Sequence, residues 1–107
     1  MSEFLFAANT SELADGEKLL VEVADELLIL FRVGDQYFCL DDICTHDGGT
    51  LSDGEHCEFE ISCPRHGARF DVRDGKALCM PATQGTRSHE VKVESDKIHV
   101  KLNVSQE

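Results

Sequence analysis

The chain of 107 residues has no tryptophan, one tyrosine, two prolines, and only ten lysines and arginines against 21 aspartates and glutamates. The shortage of positive charge argues against a binder of phosphate backbones, which needs clustered Lys and Arg, so no nucleic acid is expected as a partner. A formal net charge of −11 favours solubility and docking to a basic protein surface. Long apolar runs are also missing. The longest, LLILF from Leu27 to Phe31, falls far short of the roughly 20 residues that cross a bilayer, so no membrane is expected. The opening MSEFLFAANTSELADGE lacks a basic n-region and carries acids early. It does not read as a secretory signal, and the expected location is cytoplasmic. Five cysteines, an odd number, do not suggest a disulfide framework in that reducing compartment, and at least two read better as metal ligands.

What the chain does have is alternation. KLLVEV, Lys18 to Val23, places Leu19, Val21 and Val23 on one face. LLILFRV, Leu27 to Val33, suits a buried strand, and GDQ at Gly34 turns the chain into YFCL, Tyr37 to Leu40. These predict a three-strand meander. HEVKV from His89 and KIHVKL from Lys97, joined by SD at Ser95, predict a hairpin with one wet face. His89 and His99 are then ordinary strand residues, and Ser11 to Ala14 hints at a single helical turn. The stretch from Asp41 to Gln84 differs: it is rich in Gly, Asp and Cys, with short strands EFEIS and ARFDV and a hairpin turn RDG at Arg73. The reading is one all-β domain over residues 1–107. A smaller loop-bearing subdomain, about 41–84, is inserted between the halves of an antiparallel sandwich or barrel.

One constellation carries chemistry: Cys44 and His46, then Cys63 and His66, with sixteen residues between the pairs. In the usual zinc finger the two Cys lie together and the two His lie together on a helix. Here each pair is mixed and sits in a loop, which argues against a finger but leaves a zinc-ribbon variant open. The mixed pairing suits a binuclear centre better. Two thiolates can hold one iron and two imidazoles the other, with bridging sulfides between them. Cys39, Cys57 and Cys79 lack such spacing and read as buried structural thiols, with an exposed Cys57 as the alternative. His56 reads as a solvated loop residue, and Arg65, Arg69 and Arg73 as partners of local acids such as Asp71 and Asp74.

The segment CTHDGG…CPRHGARFD, Cys44 to Asp71, resembles the Rieske motif C-x-H…C-x-x-H-G, and MPATQG supplies Pro81 where Rieske domains carry a proline over the cluster. The resemblance implies the Rieske fold and one [2Fe–2S] cluster on Cys44, His46, Cys63 and His66. Rieske proteins of respiratory and photosynthetic complexes link the two loops by a disulfide. Gly49 and Arg65 stand at those positions here. Those proteins also place hydroxyl donors where this chain has Ala68 and Phe70. Losing such donors to cluster sulfur lowers the potential. The chain is therefore similar to soluble, low-potential Rieske ferredoxins that feed bacterial oxygenases. This implies an electron carrier rather than an enzyme. It would be a monomer, taking single electrons from a flavin-dependent NAD(P)H reductase and passing them to a terminal non-haem iron oxygenase. The alternative is an accessory module in iron–sulfur assembly, in redox sensing, or as a small subunit like that of nitrite reductase. Many of those small subunits lack the ligands that this chain keeps.

Overall fold

The computed structural model describes residues 4–42, 51–63, 67–78 and 85–102. Among the described residues nine strands appear in chain order: β1 Leu5–Asn9, β2 Lys18–Val23, β3 Glu26–Val33, β4 Gln36–Asp41, β5 His56–Cys57, β6 Glu60–Ser62, β7 Arg69–Asp71, β8 Ser88–Glu94 and β9 Lys97–Lys101. All pairings are antiparallel. The first sheet runs β1-β9-β8-β4-β3-β2, and β1 comes up against β2, so it nearly closes on itself. The second, β5-β6-β7, lies in the chain between β4 and β8.

The expected meander and C-terminal hairpin are both present. Val23 pairs with Glu26 across Ala24 and Asp25, and Glu94 pairs with Lys97 across Ser95 and Asp96. All four connecting residues take positive φ, between 51° and 66°. Two-residue loops with both residues in that region match the right-handed twist of the strands they join. The single helical turn falls at Thr10–Glu12, where the Glu12 carboxylate accepts the Asn9 backbone N–H at 2.9 Å. Three details differ from expectation. β1 has no alternating apolar signature and is held by its pairing with β9. EFEIS breaks at Glu58, whose φ is +52°, so β6 begins only at Glu60. Val93 shares a face with His89 and Val91 but lies 42% exposed, beyond the part of the sheet that is covered.

Two apolar clusters share strand β3. Leu28 and Leu30 join Ala8, Leu13, Val23, Cys39, Ile98 and Val100 inside the nearly closed sheet. Ile29 and Phe31 face the other way, and with Leu40 they meet Leu51, Ile61, Cys63, Ala68, Phe70 and Val72 from the second sheet and its loops. A strand buried on both faces reads as a continuous apolar run rather than an alternation. That is why Leu28 to Phe31 contain no polar residue; Leu27, before them, is exposed. At about 25 cal/mol per Å² of apolar surface removed from water, a second cluster of this kind is what holds a sheet of three short strands in place.

Candidate metal centre

Of the four expected ligands, Cys63 is described; Cys44, His46 and His66 lie outside the described residues, as do Pro81, Cys79, Gly49 and Arg65. Cys63 directly follows β6 and is 2% exposed, its neighbours in the apolar cluster including Ala68 and Phe70. The loop it opens is closed at once. The Cys63 N–H donates to the Ala68 carbonyl at 2.6 Å, and the Gly67 N–H donates to the Cys63 carbonyl at 3.0 Å. Gly67 takes a φ of +75°, a conformation that a residue with a Cβ rarely adopts.

The other two loops are tied down beside it. Asp42, 9% exposed, closes the segment 43–50: its Oδ1 accepts the Leu51 and Ser52 N–H groups, each at 2.8 Å, and its Oδ2 accepts the Ser52 hydroxyl at 3.2 Å. Leu51 then enters the same apolar cluster as Cys63. The segment 79–84 is flanked by Leu78, whose N–H donates to Arg69, and by Thr86, whose N–H donates to the Gly75 carbonyl at 2.8 Å. A Cβ on Gly75 would lie 2.0 Å from the Thr86 carbonyl oxygen, so glycine lets the two backbones meet here. Leu51 and Cys63 thus share one cluster of buried side chains, and Ala77, just before the third segment, packs against it.

This arrangement fits a cofactor held by soft thiolate and imidazole donors. Cys63 sits in an apolar wall, at the base of a short connection closed by backbone hydrogen bonds, and Leu51, just past the segment 43–50, packs into the same wall. Ala68 and Phe70, the positions expected to lack a donor, are both fully buried against Cys63.

The remaining titratable residues fall into place around the centre. Cys39 points into the nearly closed sheet, where burial, aided by the charge of Asp41, pushes its thiol up to about 12. Cys57 is exposed, the alternative reading. His56 departs from expectation. It lies in β5 with its ring edge-on to Phe31 at 5.0 Å and its Nε2 2.7 Å from the Glu58 carbonyl, because the second sheet folds back over β3. His89 is a strand residue as expected, yet buried and hydrogen-bonded to Asp41 at 2.8 Å. Arg73 pairs with Asp71 at 2.7 Å and lies over Phe59, and Arg69 lies 3.6 Å from Glu60. Among the acids near the ligand loops, Asp53, Glu55, Glu58 and Glu60 are exposed, whereas Asp41 and Asp42 are taken up by internal hydrogen bonds. Sequence reading missed that role because neither acid has a local partner: Asp42 reaches nine residues forward and Asp41 reaches across to β8.

Comparison with known proteins agrees with this geometry. A family model described as the Rieske [2Fe-2S] domain matches residues 3–95. The ferredoxin component of the naphthalene 1,2-dioxygenase system of Pseudomonas putida is 37% identical over 101 residues, 94% of this chain and 97% of that one. The ferredoxin of carbazole 1,9a-dioxygenase from Nocardioides aromaticivorans superposes with a TM-score of 0.87 at 28% identity, covering 91% of this chain and 95% of that one. A chain from a complex of reduced oxygenase and oxidized ferredoxin in carbazole 1,9a-dioxygenase gives the same TM-score at 30% identity, over 95% of this chain and 97% of that one.

Proposed function

We propose, for a chain that belongs to the Rieske [2Fe–2S] domain family, that Cys44 and Cys63 hold one iron of the cluster and His46 and His66 the other. The carrying observation is Cys63: a buried thiol at the start of a short connection closed by backbone hydrogen bonds, with Leu51 in the same apolar cluster and Ala77 packed against it. The part of the chain from about 41 to 84 serves as the cluster-binding subdomain, and the nearly closed sheet is its platform. When bound, the cluster supplies one-electron reduction and oxidation. The protein is an electron carrier, as its ferredoxin relatives are. Its electrons come from a flavin-dependent NAD(P)H reductase and go to a terminal non-haem iron oxygenase. The second assignment is supported by the relative found in complex with an oxygenase.

The chain's own residues set the terms of that transfer. Apolar Ile61, Ala68 and Phe70 keep water from the Cys63 side. Neither the Ala68 nor the Phe70 side chain can donate a hydrogen bond to sulfur, which argues for a potential near the low end of the Rieske range, about −150 mV. Exposed Asp53, Glu55, Glu58 and Glu60 give the cluster-bearing part a negative face, suited to steering a basic partner at low salt. Among the described residues no helix is long and apolar enough to cross a membrane; a cytoplasmic location is part of this proposal. The test is a reconstituted assay of electron flow from candidate reductase through this protein to candidate oxygenase, with iron and acid-labile sulfide measured on the same sample. Two irons and two sulfides with salt-sensitive transfer support the reading. Zinc without sulfide overturns it.

A further inference from the structure

The seam where the chain returns from the second sheet to the first is short. β4 and β8 share two register pairs, Cys39 with His89 and Leu40 with Ser88, whereas β2 and β3 share six. Just past those pairs, at the end of β4, side chains take over. The Asp41 N–H donates to the Arg87 carbonyl at 2.9 Å. The Arg87 guanidinium returns two bonds to the Asp41 carboxylate, Nε to Oδ2 at 3.0 Å and Nη2 to Oδ1 at 3.2 Å. His89 Nε2 lies 2.8 Å from the same Oδ1, and Arg87 Nη2 also binds Glu26. The group runs from a fully buried His89 side chain through Arg87 and Asp41, 22% and 20% exposed, to Glu26 at 41%. A planar guanidinium held bidentate by a carboxylate fixes direction as well as distance. Burial acts to raise the Asp41 carboxyl, but hydrogen bonds from His89 and Arg87 prevail and hold it below its usual range.

The position of this group in the chain gives it a second consequence. Asp41 stands three residues before Cys44, and Arg87 stands three residues after the segment 79–84. Asp42, next in line, ties the far end of the segment 43–50 back to the same point. We propose that Asp41, Arg87 and His89, closed on the solvent side by Glu26, form a clasp that fixes the entry of the first ligand loop against the exit of the 79–84 segment. These are positioning residues for Cys44 and His46, and the proposal rests on the ligand assignment above. An open clasp lets water nearer the centre. Reduction adds a negative charge, which water stabilises, so the potential moves upward when the guanidinium charge is kept but its fork is lost. Exposure to solvent is one of the known levers on such potentials.

The experiment uses the holoprotein and Arg87→Lys, with Arg73→Ala as a control that breaks an exposed Arg–Asp pair elsewhere. Hydrogen exchange is followed by peptide, together with iron and sulfide content and the reduction potential. The expected result is severalfold faster exchange in peptides spanning 41–52 and 76–88, an upward shift in potential, and unchanged metal content; Arg73→Ala does neither. Exchange that rises evenly over all strands, or loops and potential that stay unmoved, overturns the clasp. If Arg87→Lys does not fold, Glu26→Gln removes only the outer arm and must give the same pattern in smaller size; no change there also overturns it. Wild-type protein without sulfide sinks the ligand assignment instead, so the two failures are told apart.

Discussion

The two sides of β3 face two kinds of structure. On one side Leu28 and Leu30 pack into a nearly closed sheet whose ladders are long and whose hairpins turn in two residues. On the other, Ile29 and Phe31 hold strands of two or three residues and loops closed by side-chain carboxylates and close backbone contacts. The first side is built from a repeated local pattern and would tolerate volume-conserving change. The second is built from single contacts, each with no substitute. A platform and a ligand mount have different requirements: one must be stable, the other must put a few atoms in one place.

The sharpest way to break the comparison is to remove one buried sulfur from each side. Cys63→Ala should abolish the cluster, read as loss of visible colour and of iron. Cys39→Ala should keep both and cost about 1 kcal/mol as a small core truncation. Equal loss of iron in the two would mean that the sides are not separate in function. Next in size is Leu30→Ala inside the platform. At about 2–5 kcal/mol it should lower the thermal midpoint strongly while the spectrum below the transition stays that of wild type. A changed spectrum in the folded protein would show that platform strain reaches the ligands.

Asp42→Ala reverses that pattern. It leaves the Leu51 and Ser52 N–H groups without their acceptor, a cost of about 1–3 kcal/mol. Iron retention after dialysis against chelator should fall more than the melting temperature does. The same substitution at exposed Glu94 should leave both within about 0.5 kcal/mol of wild type. The smallest effect is that of acid. Two carboxyls are held low by neighbours among the described residues: Asp71 by Arg73 on the loop side, and Asp41 by His89 and Arg87 at the end of β4, where the loop side begins. A depressed folded value gives stability that is present above the unfolded value of about 3.9 and lost as pH falls through the folded one. Melting curves should therefore weaken below about pH 4, and Asp41→Asn should flatten that dependence. An unaltered acid slope in the variant would remove Asp41 from the account.

How much was legible in the sequence follows the same division. β2, β8 and β9 were visible because each alternates over five or more residues, and β3 was visible as a run of branched and aromatic residues. The cofactor class was visible because two mixed Cys/His pairs at those spacings have few other uses. β1 was not visible, since LFAAN carries no period and gains its ladder from β9, some ninety residues later. The role of Asp41 and Asp42 was not visible for the same reason: along the chain they are two more negative charges, yet in space they bond to Arg87, Leu51 and Ser52.

By itself, then, the sequence determined the class of fold, the cofactor chemistry and the sign of the surface charge, because strand periodicity, donor type and net charge are properties of residues and their near neighbours. Tertiary structure alone decided which face of β3 serves which core, that His56 packs on Phe31, and that Asp41 meets Arg87 across 46 positions. Contacts between residues far apart in the chain leave no local pattern, since each partner is chosen by where the backbone has already been carried by the packing of everything else.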